Sequence, residues 1–307
     1  MKKQPFIITT RESPLALRQT EWVKNKLTAL HPDLNIQLLG ITTDADKQLS
    51  LSISEVGGKG LFVKELEEAL LAGCAHVAVH SMKDLPMTFP IGLSLPVVCE
   101  REEVRDVLVS NNHGSLQDLP GGARVGTSSL RRQSQLRALR PDLVIENLRG
   151  NVNTRLIRLD QGDFDALILA AAGLKRLGLE HRITCLISID QLLPAAGQGA
   201  LALECRQEDA FTLTQIAPLN HALTFACVSA ERALCRQLGG GCQVPIGAYA
   251  ELSNKHLDLR GLVGSLDGKT ILQARRQATL DQAEELGKQV AEDLLGQGAD
   301  KILRALH

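Results

Sequence analysis

The stretch Phe6-Ile7-Ile8-Thr9-Thr10-Arg11-Glu12-Ser13-Pro14 decides the fold class. Its aromatic and β-branched start predicts a strand over Phe6–Thr10. Ser13 is a good helix cap and Pro14 suits the first helical position, so a helix follows to about Leu30. Working outward, Leu34–Ile41 reads as a second strand, Gly60–Leu71 as an amphipathic helix (Leu61, Phe62, Leu66, Leu70) and Ala75–His80 as a third strand. Thr42–Gly58 is polar and without period, hence a long loop. Strands alternating with helices predict a mainly parallel sheet, and ligands bind at the C-terminal ends of such strands.

The pattern repeats. Asp106–Ser110, Arg124–Gly126, Leu143–Glu146 and Ala166–Ala170 read as strands, with helices over Ser129–Leu139 and Val152–Gln161. A strand and a helix follow from Ala200. After about Pro218 the style changes. A long helix (Leu219–Leu238) precedes three bunched strands (Ile246–Leu252, His256–Gly264, Thr270–Gln277) and two helical segments near Asp281–Gly296 and Lys301–Leu306, an α+β arrangement. At 307 residues the chain exceeds what one core usually fills, so two or three domains are expected.

Composition removes several classes. Apolar residues at 44% and charged residues at 22% are globular values. A net charge of -1 and only six Phe, one Tyr and one Trp disfavour a nucleic-acid binder. The apolar stretch Phe6–Ile8 before Arg11 is far too short for a signal peptide, and the longest apolar run, Ala166–Leu174, is about half a membrane span. We expect a soluble cytoplasmic protein with no membrane association. Seven cysteines without a C-x-x-C pair are expected to be reduced, and none has zinc spacing.

Four segments carry chemistry. Val125-Gly126-Thr127-Ser128-Ser129-Leu130-Arg131-Arg132 ends a strand in glycine and opens a helix with three hydroxyls and two arginines, an anion site in type. An ordinary cap with surface arginines is the plain alternative. Leu148-Arg149-Gly150-Asn151-Val152-Asn153-Thr154-Arg155 repeats the arrangement. Between residues 124 and 182, basic residues exceed acids by five, and Arg131, Arg132, Arg149, Arg155 and Arg176 fall at strand ends or helix starts, as a polyanion cleft requires. In His80-Ser81-Met82-Lys83-Asp84-Leu85-Pro86, Lys83 keeps its neighbour Asp84 ionised, although a lone loop aspartate is more often a turn residue. His80 reads as a satisfied core histidine. Finally, Gly239-Gly240-Gly241-Cys242 presents a thiol on a loop without helix or strand preference, a candidate nucleophile or attachment point. Cys74, Cys99, Cys205 and Cys227 read as small buried apolar residues. A non-catalytic two-lobed anion receptor explains the arginines but not the thiol; an RNA or phosphosugar binder fits the low aromatic content poorly.

Together these segments resemble the porphobilinogen deaminase family, also called hydroxymethylbilane synthases. The matching stretches are Thr10–Ala16, Gly57–Phe62, His80–Asp84, Val125–Gln133, Leu148–Arg155, Gly197–Ala200 and Gly241–Ile246, in family order. The resemblance implies two doubly wound α/β domains like type II periplasmic binding proteins, residues 1–99 with 200–217 and residues 100–199, plus a C-terminal α+β domain, residues 218–307. It implies a transferase of tetrapyrrole (haem) biosynthesis that deaminates four porphobilinogen molecules and joins them head to tail into hydroxymethylbilane. The primer is a dipyrromethane cofactor bound by a thioether to Cys242. Asp84 takes the position of the catalytic aspartate, beside a substrate-derived azafulvenium cation. Arg11, Ser13, Lys59, Phe62, Ser81, Lys83, Thr127, Ser128, Ser129, Arg131, Arg132, Arg149, Arg155, Arg176 and Gln198 match cofactor- and substrate-binding positions. A monomer that needs no metal and passes its product to uroporphyrinogen-III synthase is implied too. Asp44 and Glu55 stand where many members have basic residues, which leaves Lys59 as the nearest basic contact in that loop.

Overall fold

The computed structural model describes residues 4–43, 63–241 and 243–306. Lys59, Phe62 and Cys242, with Asp44, Glu55 and the loop that holds them, lie outside the described residues. The chain forms two compact units, Met1–Arg101 with Ala200–Phe225, and Glu102–Gly199 with Ala226–His307.

The first unit starts as its sequence dictates. β1 (Phe6–Arg11) is followed by Ser13 in an extended conformation, whose hydroxyl accepts from the Ala16 N–H, and α1 (Pro14–Leu30) begins on the proline. Val23 and Leu27 face the core one turn apart, with Gln19 and Thr20 on the same buried face. β2 (Ile36–Ile41) lies parallel to β1. α2 (Lys64–Leu71) and β3 (Val77–Ser81) follow, then a single 3-10 turn, Met82–Asp84. β4 (Leu93–Val98) has no sequence expectation, because Pro96 interrupts it. Proline lacks the N–H that a central strand must donate. The structure accommodates it by placing β4 at the sheet edge, where the register with its neighbour also slips.

The second unit repeats the plan. β5 (Asp106–Val109), β6 (Arg124–Gly126), α3 (Leu130–Leu139), β7 (Val144–Glu146), α4 (Val152–Asp160), β8 (Ala166–Ala170), α5 (Ala171–Arg176) and β9 (Cys185–Leu186) form a five-stranded sheet ordered β7-β6-β8-β5-β9. The chain then re-enters the first unit as β10 (Leu201–Arg206) and α6 (Ala210–Ile216), completing the order β2-β1-β3-β10-β4. The expected mainly parallel sheet needs correction. In each sheet the first three strands are parallel, but the fourth, β10 or β5, runs antiparallel to both neighbours. Neither strand belongs to a strand–helix–strand unit of its own sheet, so nothing forces it to run parallel.

α7 (Ala222–Gln237) leads to an antiparallel sheet of β11 (Ile246–Ser253), β12 (His256–Gly264) and β13 (Ile271–Ala278), covered by α8 (Ala283–Gly296), with α9 (Ala299–Arg304) last. Asn254 and Lys255, both at positive φ, make the two-residue turn between β11 and β12. Gly261 of β12 lets Leu234, Val290 and Leu294 pack on the strand. Among the described residues no helix is long and apolar enough to cross a membrane.

Candidate functional site

In the first unit, the C-terminal ends of β1 and β3 share one sheet edge, since the two strands are parallel neighbours. Arg11 ends β1 and Ser81 ends β3, so that edge gathers Arg11, Ser13, Ser81, Lys83 and Asp84. Met82 and Leu85 are buried and act as anchors, and the Met82 N–H donates to Ala200 O at 3.0 Å. Pinned on both sides, the turn leaves the Asp84 side chain exposed. Ser81 is held by Gln19: the two side chains exchange hydrogen bonds of 2.9 and 3.2 Å. Sequence reasoning passed over Gln19; its signal is an amide on the buried face of an otherwise amphipathic helix. His80 is the satisfied core histidine expected, with Nε2 2.9 Å from Glu204 Oε2.

In the second unit, β6, β7 and β8 are parallel and bring their C-terminal ends to one edge. Thr127, Ser128 and Ser129 follow β6. Gly126 is required there: a Cβ would lie 2.8 Å from Leu167 and 2.9 Å from Leu148. Two of the three hydroxyls are used locally. Thr127 Oγ1 accepts from the Ser129 N–H and Ser128 donates to Leu148 O at 2.8 Å, whereas Ser129 stands at the helix cap without making a cap bond. On α4, Asn151 caps the helix and Arg155 Nε donates to Gly150 O at 2.8 Å. Arg176 Nη2 donates to Gly199 O at 2.6 Å. Arg149 is half-buried in the loop between β7 and α4.

α3 is unusual. Arg131, Arg132, Gln133, Ser134, Gln135 and Leu136 are all buried, five polar residues in six. Each polar side chain has found partners. Gln133 Nε2 donates to Thr127 O and Asn147 Oδ1, both at 2.9 Å, and Gln135 accepts from the Leu193 N–H at 2.7 Å. Arg132 donates to Asp106 Oδ1 through Nη2 at 2.7 Å and to Ile168 O at 2.9 Å. Arg131 Nη1 lies 2.8 Å from Asp106 Oδ2 and donates to Leu193 O at 2.7 Å. Burial pushes the Asp106 carboxyl up, but the two guanidiniums overcome this and hold it well below the usual carboxylate range. The arginines are therefore not solvated surface, as the plain alternative has it, but a buried and pre-ordered pair.

Gln198 is fully buried and its Nε2 donates to Val104 O at 2.7 Å and Asp106 Oδ1 at 2.9 Å, so it supports the arginine pair. One sequence expectation changes. Cys74 is exposed, not buried, because it sits in the turn that ends α2 beside Gly73 at φ +72. Cys99, Cys205 and Cys227 are buried. Burial pushes the Cys235 thiol up to about 12, which makes it inert as a nucleophile.

The family profile described as "Porphobilinogen deaminase, dipyromethane cofactor binding domain" matches residues 6–214. A second, "Porphobilinogen deaminase, C-terminal domain", matches residues 225–296. Among solved structures, the chain is similar to a putative methionine-binding lipoprotein from Bacillus subtilis at 11% identity and TM-score 0.45, over 72% of this chain and 92% of that one. A nutrient binding protein from Burkholderia cenocepacia bound to methionine matches at 13% identity and TM-score 0.44, over 69% of this chain and 90% of that one. The periplasmic aliphatic sulphonate binding protein from Escherichia coli matches at 17% identity and TM-score 0.42, over 76% of this chain and 70% of that one.

Proposed function

Because this chain belongs to the porphobilinogen deaminase family, we propose that it deaminates porphobilinogen and joins four molecules head to tail, giving hydroxymethylbilane and releasing four ammonia. We place the priming dipyrromethane on Cys242 through a thioether. The protein then works as a cytoplasmic monomer and hands its product to uroporphyrinogen-III synthase. The observation that carries the reading is the dipyrromethane-binding profile matched over residues 6–214.

The residues fit that cofactor. Two buried guanidiniums face one carboxylate, so Asp106, Arg131 and Arg132 keep one uncompensated positive charge. Among the described residues the buried Arg131 Nε has no hydrogen-bond partner. An acetate or propionate arm of a dipyrromethane supplies both the missing charge and the missing acceptor. When bound, the dipyrromethane would supply the electron-rich pyrrole carbon for the first coupling, and each ring added would supply it for the next. Arg149, Arg155 and Arg176 then bind further carboxylates, with the Ser129 hydroxyl as an added donor. Arg11, Ser13, Ser81 and Lys83 do the same at the sheet edge that carries Asp84. The Asp84 carboxylate accepts hydrogen bonds from pyrrole N–H groups, stabilises the cation left when ammonia departs, and takes part in the proton transfers at the amine and the attacked ring carbon.

Mass spectrometry of the intact native protein tests this. We expect an excess equal to two deaminated porphobilinogen units, lost in Cys242→Ser. An adduct on Cys235, or protein that turns over porphobilinogen without any adduct, overturns the reading.

A further inference from the structure

Asp106 opens β5 and is fully buried. Its Oδ1 accepts from Arg132 Nε at 3.1 Å, Arg132 Nη2 at 2.7 Å and Gln198 Nε2 at 2.9 Å, and its Oδ2 faces Arg131 Nη1. Gln198 is itself fixed. Gly197 and Gly199 on either side stand at φ +71 and +89, and a side chain at Gly199 would run into the Glu102 carbonyl oxygen. The Glu102 N–H donates to Gly199 O at 3.1 Å, so the segment entering β5 and the segment leaving the second unit are tied together just where Gln198 reaches Asp106.

A stability device does not explain this arrangement. Buried ion pairs contribute little to stability compared with apolar packing, and one carboxylate with one arginine would be neutral. The second arginine adds a like charge in a place closed to water. We propose that Asp106, clamped by Gln198, is a positioning residue that holds Arg131 and Arg132 side by side and cancels one of their two charges, so that the pair accepts a single carboxylate of the dipyrromethane. The inference rests on the proposed reading of the arginine pair as a carboxylate site. It assigns to the acid the setting of the net charge, a role distinct from contact with any ligand.

Charge reversal of the deficit makes the test. Arg132→Gln leaves Arg131 and Asp106 neutral together, and the purified protein should carry little dipyrromethane adduct by intact mass. Adding Asp106→Asn to Arg132→Gln restores one net positive charge, and the adduct-bearing fraction should rise about fivefold or more over Arg132→Gln alone, the size of a typical coupling between contacting residues. A purely structural Asp106 gives the opposite result: the double variant carries no more adduct than the single one. Gln198→Leu provides a milder variant that keeps all three charges. It should fold, carry less adduct than wild type, and recover with Gln198→Asn, which retains an amide donor. If the double variant fails to fold, a wild-type adduct content in Gln198→Leu overturns the proposal. If wild-type protein itself carries no adduct, the family function has failed rather than the role of Asp106.

Discussion

Glu67 lies on the buried face of α2, and among the described residues its Oε1 has no hydrogen-bond partner. Burial first, and the Glu204 charge second, raise its pKa to about 7. The folded protein therefore binds a proton that the unfolded chain releases near pH 4.5, and stability falls as pH rises between those values. Glu67→Gln removes the cost. We expect a gain of roughly 1–3 kcal/mol at pH 8 and almost none at pH 4.5, read from urea midpoints at the two pH values. A gain equal at both would trace to packing instead of ionisation. Asp84 presents the contrasting carboxylate, exposed on a pinned turn. Asp84→Asn keeps its size, so the variant should fold and retain the dipyrromethane, yet lose about 10²–10³ or more in turnover. Asp84→Glu should retain more. Tetrapyrrole formation from porphobilinogen, with cofactor content checked first, decides it; a loss within about tenfold would make Asp84 a turn residue.

Among elements, α3 shows where sequence reading stops. Its start was legible, because Gly126 and the hydroxyls after it mark a strand-to-helix turn, and the helix does begin at Leu130 with Ser129 as its cap. Its burial was not, because a helix buried through polar residues has no apolar stripe for periodicity to detect. The partner that matters most, Asp106, lies twenty-five residues upstream on a strand whose pattern looks merely apolar. β4 was hidden by Pro96, and β10 and β5 run against their neighbours because neither belongs to a strand–helix–strand unit of its own sheet. α3 also leans on the hairpin between β12 and β13. Gly268, at φ +73, turns there, and a Cβ would lie 2.6 Å from Ala138 N and 2.7 Å from the Arg137 carbonyl carbon. Gly268→Ala should cost about 2–4 kcal/mol, since backbone must move as well as strain. Gly178, at φ +69 with nothing described within 4 Å of a Cβ, is the control. Gly178→Ala should cost only about 1 kcal/mol. Equal denaturant midpoints for the two variants would mean that the hairpin does not press on α3.

Over the whole chain, a net charge of -1 hides a segment, residues 124–182, with five more basic than acidic groups. Part of that excess is solvated, but the charge shared by Arg131, Arg132 and Asp106 is buried. A folded protein holds only about 5–15 kcal/mol in reserve, so an uncompensated buried charge with an unpartnered donor is a large fraction of it. A dipyrromethane attached as proposed would make its ordered carboxylate contacts only in the folded state, and so would stabilise it. Protein lacking the cofactor should therefore melt lower. For Cys242→Ser we expect a Tm several degrees below that of adduct-bearing wild type, since 1 kcal/mol corresponds to roughly 2–4 °C in a chain of this size class. Loss of the thiol alone is separated from loss of the anion by sulfate. Sulfate stabilises folded proteins generally, so both forms should gain. The cofactor-free form should gain more, because the anion fills the place of the missing carboxylate. Equal Tm values for the two forms, or equal gains with sulfate, would show that the buried charge is already balanced without the dipyrromethane.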